Sequence, residues 1–309
     1  MKTRLPIAIA LLAVLAAGTS WAFGSAQLYV LRAGVAGSLK YHLLFNTAVL
    51  AIPVAALLGV FLGTFEDDKD HTKIINGKIE RHDELMFFQH WSHAIGTVIL
   101  IITGLVLGTL FIPRTIQSVE NIGFAMNMHF IGILLFFVGA SYYVTKGLLT
   151  GEIKHMLPRA GDINSMIGHY KAMLFGGEAP KEEKFLSAER VVFPLWIIGV
   201  SGITLSGIVK TAAHVWSLPG ALMGFFTFLH GVFAIYMALL LVGHVTAGAL
   251  LPASWPLIRS MVTGYVTEKY VRHHHVKWYE ELQSQNPEEN SNNLLQDAES
   301  QVATTRIEL

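Results

Sequence analysis

The sequence predicts an all-α membrane protein, a bundle of four transmembrane helices with one extra N-terminal span. Three observations lead there. Of 309 residues, 52% are hydrophobic and only 14% charged, whereas a soluble chain carries roughly a quarter charged residues. Mean hydropathy is +0.48. Five apolar stretches, at 43–65, 88–112, 124–147, 190–213 and 224–250, reach the ~20 residues that cross a bilayer. In lipid the backbone must satisfy its own polar groups, so outside a closed barrel these stretches are helices. The 22 basic and 22 acidic residues cancel, which leaves no net positive charge to favour nucleic acid.

Taken in order, the chain opens with Lys2 and Arg4, an apolar run from Pro6 to Ala17, and Ser20-Trp21-Ala22. This is the pattern of a secretory signal peptide, 1–22, cleaved after Ala22. A retained first span is the alternative, and both put the segment up to about His42 outside. The 43–65 span has no interior histidine and reads as a packing element. Orientation follows from the basic loops, which stay inside. Loop 66–87 carries Lys69, Lys73, Lys78 and Arg81, and the loop after 147 carries Lys154, Arg159, Lys171, Lys181 and Lys184. Between them, 113–123 has only Arg114, and 214–223 has no charge. The four core spans thus occupy 88–250, and the tail 251–309 is cytoplasmic. Past Leu282 it is polar, lacks apolar periodicity and is predicted to be disordered.

The chain has no cysteine. That excludes disulfides, Cys-ligated iron–sulfur clusters and covalent haem attachment. It has 14 histidines, and the last span holds His230 and His244. At helical pitch they sit about 21 Å apart on nearly the same face. Neutral imidazole is an axial ligand of haem iron, and ionisable groups within spans are rare without a function. His230 falls toward the outer side and His244 near the inner surface. The 88–112 helix starts inside with His90 and His93, and the 124–147 helix starts outside with His129. His129 can therefore meet His230 at the outer level, and His90 or His93 can meet His244 at the inner level. These are two bis-histidine haem sites. The bland alternative is a hydrogen-bonded interior histidine plus one near the headgroups. His42, His71, His82, His155, His169 and His214 fall in loops or at helix ends, where a solvated role is expected. Recurrent glycines such as Gly96, Gly104, Gly132, Gly139, Gly207 and Gly243 suit close helix packing or clearance for a porphyrin equally well.

Several motifs carry a family resemblance. Gln89-His90-Trp91 opens a helix that reaches Thr103-Gly104; Met128-His129-Phe130, Leu229-His230-Gly231 and His244 follow. This set resembles the cytochrome b (gamma) subunit of respiratory membrane-bound formate dehydrogenase. The stretch from Ser260 to Val266, followed by His274-His275-Val276-Lys277-Trp278-Tyr279, is similar to that family's ending, and the likeness covers roughly 85–282. The resemblance implies a four-helix di-haem cytochrome b bundle. It favours His90 over His93, pairing His90 with His244 at a cytoplasmic haem b and His129 with His230 at a periplasmic one. It also implies menaquinone or ubiquinone reduction beside the inner haem. The partners would be a periplasmic iron–sulfur beta subunit and a molybdenum- or tungsten-pterin alpha subunit. The chain would then be an electron-transfer subunit in the bacterial inner membrane, with no formate chemistry of its own.

Where that family has amides before the fourth core helix, this chain has Leu186 and Glu189. Glu189 is a candidate for relaying a proton to quinone, although pairing with Arg190 at the headgroups is the preferred reading. His273, His274 and His275 read as a metal-binding tract or, preferred, as a basic end docked on membrane lipid with Trp278 and Tyr279 as interfacial anchors. The runner-up reading is the cytochrome b anchor of a nickel–iron hydrogenase or of a thiosulfate or polysulfide reductase. A different class, a His-lined transporter of metal ions or protons, predicts acidic residues within the spans. The stretches 90–112, 124–146, 191–213 and 224–250 contain none.

Overall fold

Four long helices dominate the computed structural model, which describes residues 44–65, 74–75, 77–82 and 84–285, besides Ala13. The signal-peptide reading, His42, His71 and the tail past 285 lie outside the described residues. The chain runs α1 (Leu44–Thr47), α2 (Ala51–Gly63), β1 (Ile74–Ile75), β2 (Lys78–Glu80), α3 (Glu84–Leu107) and α4 (Val119–Leu149). It continues with α5 (Glu152–His155), α6 (Asp162–Phe175), α7 (Ser187–Ala212) and α8 (Gly220–Val245), which runs on as a π turn over Thr246–Leu250. The last elements are α9 (Trp255–Thr263), β3 (Tyr265–Thr267), α10 (Glu268–His274) and α11 (Val276–Gln285). Of these, α3, α4, α7 and α8 with its π turn are long and apolar enough to cross a membrane. The chain is a multi-pass helical membrane protein.

The expected 43–65 span is broken. Between α1 and α2 the chain bends at Ala48 to Leu50, because Pro53 has no N–H to give and its ring clashes with the carbonyl four residues back. The 13 residues of α2 measure about 20 Å, short of the ~30 Å hydrocarbon layer. The packing role fits. Leu58 and Leu62 of α2 are buried with Val138 and Tyr142 of α4. The Leu44 N–H donates to Asn127 Oδ1 at 2.8 Å, and Phe45 meets Phe130 edge-on and stacks on His214.

Helix α3 lies along one side of α4 and α2 along another, while α7 lies along α8; the two groups meet through α3 and α8. Small residues set the first spacing. A Cβ on Gly96 would stand 2.6 Å from the Phe136 backbone N, and one on Gly139 2.7 Å from His93 Cβ. These glycines are packing glycines. Outward faces remain apolar: Ile102, Leu205, Leu239 and Val242 are each more than half exposed, as lipid-facing positions should be.

One end of the bundle is capped. Strands β1-β2-β3 form an antiparallel sheet with Ile79 opposite Val266. The Gly264 carbonyl accepts from both Arg81 N and His82 N. A Cβ at Gly264 would lie 2.7 Å from His82 O at φ +81°, so glycine is required there. Ile79, Val266, Val271, Trp278, Tyr279 and Leu282 form one buried cluster. This corrects the sequence expectation for Trp278 and Tyr279. At 3% and 9% exposure they are core side chains rather than interfacial anchors, because the small sheet has an apolar face that α11 must cover.

Candidate functional site

Helix α8 presents His230 and His244 to the seam between the two helix groups. His129 from α4 stands opposite His230 and His90 from α3 opposite His244, with ring centres 6.4 Å apart in each pair. A ligating imidazole nitrogen sits about 2 Å from its metal and the ring centre about 1 Å further back, so two trans imidazoles have centres roughly 6 Å apart. Both pairs fit that spacing. The His90–His244 pair lies at the capped end, the His129–His230 pair toward the other. His93 takes no part. Its ring lies 4.4 Å from that of Phe136, and its Nδ1 points at the Phe136 carbonyl at 3.4 Å. The structure therefore separates two histidines that depth alone had left equivalent.

Hydroxyls determine which nitrogen of the second pair is free. Thr103 Oγ1 donates to the Ile99 carbonyl at 2.6 Å and touches His129 Nδ1 at 2.8 Å. A hydroxyl has one proton, so toward His129 it accepts, and Nδ1 must carry the hydrogen. Ser206 repeats the arrangement. It donates to the Gly202 carbonyl at 2.7 Å and accepts from His230 Nδ1 at 3.1 Å. Both Nε2 lone pairs are left for a metal, which is how outer groups orient histidine ligands. Gly104 and Gly207 border the pair: a Cβ on Gly207 would lie 3.5 Å from His230 Cε1, and one on Gly104 4.0 Å from His129 Cε1. Sequence reasoning missed Ser206. Its signal is a hydroxyl in an apolar helix at the depth of a candidate ligand.

At the capped end, His90 is edge-on to Trp91 and His244 edge-on to Trp196. The Trp91 indole donates to the Met261 carbonyl at 3.1 Å, tying the first turns of α3 to α9. The π turn begins two residues after His244; such turns are common at functional sites.

Glu189 does not pair with Arg190, which corrects the preferred sequence reading. The Arg190 guanidinium grips Asp162 through two bonds of 2.7 and 2.9 Å and lies 3.5 Å from Glu183. Neighbouring residues in a helix diverge by about 100°, so Glu189 faces elsewhere. Its Oε2 accepts from Leu186 N at 2.9 Å, the return half of a capping box. Its Oε1 lies 3.8 Å from Arg81. From there the carboxylate acts on His244, Tyr170 and Tyr270. Burial pushes the Tyr270 phenol up to about 12, with Glu189 adding to the effect against Arg81.

His275 is fully buried. Its Nδ1 lies 2.6 Å from the Glu183 carbonyl and its Nε2 3.4 Å from Arg81 Nη1. A guanidinium can only donate, so Nε2 accepts and Nδ1 carries the hydrogen. Burial, then the Arg81 charge, holds His275 down to about 3. Neither nitrogen is available to a metal or to a lipid headgroup. Among the described residues no group of three or more His, Cys, Asp or Glu could hold a metal ion. His275 is thus a structural plug of the cap, while His273 is exposed and His274 half-buried.

A model of the prokaryotic cytochrome b561 family matches residues 81–264. Both limits fall on cap residues bonded to each other, Arg81 N to Gly264 O at 2.8 Å, and all four paired histidines lie between them. The protein named formate dehydrogenase, cytochrome b556 subunit, from Haemophilus influenzae is 25% identical over 240 residues, 74% of this chain and 93% of that protein.

Proposed function

The chain belongs to the prokaryotic cytochrome b561 family, and from that premise we propose that it is the di-haem cytochrome b subunit of a membrane-bound formate dehydrogenase. The family implies haem b. In this reading His129 and His230 hold one haem near the periplasmic face, and His90 and His244 a second near the cytoplasmic face of the bacterial inner membrane. The observation that carries it is the matched 6.4 Å spacing of the two pairs. Bound haem b would supply reversible one-electron chemistry, and four histidines at two depths would hold it where electrons can pass across the bilayer. The protein contributes the rest. It fixes four imidazoles at two depths, presents Nε2 of His129 and His230 through the Thr103 and Ser206 hydroxyls, and surrounds them with apolar helices.

The named relative supports formate dehydrogenase as the electron source. The partners would be an iron–sulfur beta subunit and a molybdenum- or tungsten-pterin alpha subunit outside, and this chain has no formate chemistry of its own. The basic loops support a cytoplasmic cap. Menaquinone or ubiquinone would be reduced there, beside His90 and His244, with protons drawn from the cytoplasm. Glu189 is the proton donor in this scheme, since Arg81 and Leu186 N hold its carboxylate at the top of α7, within electrostatic reach of His244. An optical spectrum of the purified, reduced protein should show low-spin haem b at about two per chain, and H230A or H244A should each leave about one. A colourless protein, or a variant that keeps full pigment, overturns the reading.

A further inference from the structure

Helix α7 carries a half-buried cation in its last turn. Lys210 lies within the Ser187–Ala212 span and is half-buried. Its Nζ donates to Thr227 Oγ1 at 3.3 Å. Among the described residues no carboxylate lies within ion-pair distance of it. Three arginines at the capped end, by contrast, have acidic partners: Arg81 with Glu189, Arg159 with Glu183, and Arg190 with Asp162. A lysine near a span's end can reach the headgroups, but here the ammonium turns to Thr227 on the neighbouring helix, and a part-buried ammonium is stabilised by a counter-charge.

Its surroundings say which one. Ser206, whose hydroxyl accepts from His230, lies one turn earlier on the same face of α7. Thr227 precedes His230 by three residues on α8, again on the same face. The Lys210 charge acts on His129 and His230 together, whereas the charged neighbour of His244 is Glu189. Haem b carries propionate carboxylates along one edge of its ring, and these are anions of the kind Lys210 lacks. We propose that Lys210, with the Thr227 hydroxyl beside it, binds a propionate of the haem held by His129 and His230. This rests on the bis-histidine reading of that pair. A cation at the ring edge favours the reduced iron, which carries one positive charge fewer, so Lys210 raises the potential of this haem alone.

A redox titration of the purified full-length protein tests it. In K210M one of the two midpoints falls and the other stays, and K210R restores the first. Haem release reads the ion pair itself: K210M releases one native haem faster than wild type, and after exchange for the propionate diester the two release it at the same rate. Unchanged midpoints in K210M at full haem content overturn the proposal. So does a K210M effect on haem release that survives esterification, which means the lysine serves a lipid phosphate or a partner's carboxylate. Should K210M release one haem, K210R decides: retention at wild-type midpoints supports the ion pair, and loss in both variants overturns it. A wild type with fewer than two haems, or H230A with its pigment intact, fails the bis-histidine reading itself and this proposal with it.

Discussion

Each of two hydroxyl protons in the bundle is already committed to a carbonyl of its own helix, and that small fact orients two histidines. Thr103 and Ser206 can only accept from His129 and His230, so both rings turn Nε2 toward the seam. Replacing Thr103 with valine keeps the shape and removes the acceptor. The His129 Nδ1–H is then buried without a partner, at a cost of about 1–3 kcal/mol. Loss of an outer-shell partner of a metal-bound histidine weakens binding about 10-fold or more. T103V should therefore release one haem about 10-fold faster to apomyoglobin while the other stays, whereas T103S should match wild type.

Among the elements, the cap depends on one buried neutral ring. His275 lies between Arg81 and the Glu183 carbonyl, bonded to segments 194 and 92 positions away. Its pKa is about 3 folded against 6.5 in the open chain. Between those values the unfolded segment binds the extra proton, so the stability His275 contributes is complete above about 6.5 and declines as the pH falls toward 3. Hydrogen exchange of the 265–282 amides should accelerate over that window, and H275N should flatten the dependence. An exchange rate indifferent to pH after correction for intrinsic chemistry would show that His275 does not govern the cap. The long helices respond to different forces. Their spacing is a matter of contact between Gly96, Gly132 and Gly139 and the backbone or side chains of the facing helix, which pH does not touch.

At the scale of the whole molecule, each histidine pair bridges the seam between the α3–α4 group and the α7–α8 group. The groups share few direct contacts elsewhere, so iron bound at either level would staple the halves together. In the proposed reading the cap faces the cytoplasm, electrons would cross inward and quinone would take protons from inside. Each charge moved is worth about 2.3 kcal/mol per 100 mV. The proposed proton delivery from Glu189 belongs to this scale because it would couple the cap to the membrane reaction. E189Q keeps an acceptor for Leu186 N and loses the acid. Quinol formation should slow about 100-fold or more with haem content unaltered. Full activity in E189Q would remove the residue from the proton path.

Composition and apolar length by themselves determined the membrane class and the four core spans, and with the basic loops they gave the expected depths of His90, His129, His230 and His244. These are local properties, since helical rise and bilayer thickness convert sequence position into depth without reference to any neighbour. Rotation about each helix axis is not local. The family resemblance favoured His90, but only the packed structure turned His93 onto Phe136, and only there did Ser206 reach His230. Charge pairing was misread for the same reason: Glu189 and Arg190 are adjacent in sequence, yet their partners are Arg81 and Asp162. Trp278 and Tyr279 looked like interfacial anchors because aromatic character is visible in a sequence, while the sheet that buries them joins strands whose residues lie 187 positions apart (Ile79 and Val266). Depth is set along one chain segment, but facing is set by whichever segment folds against it.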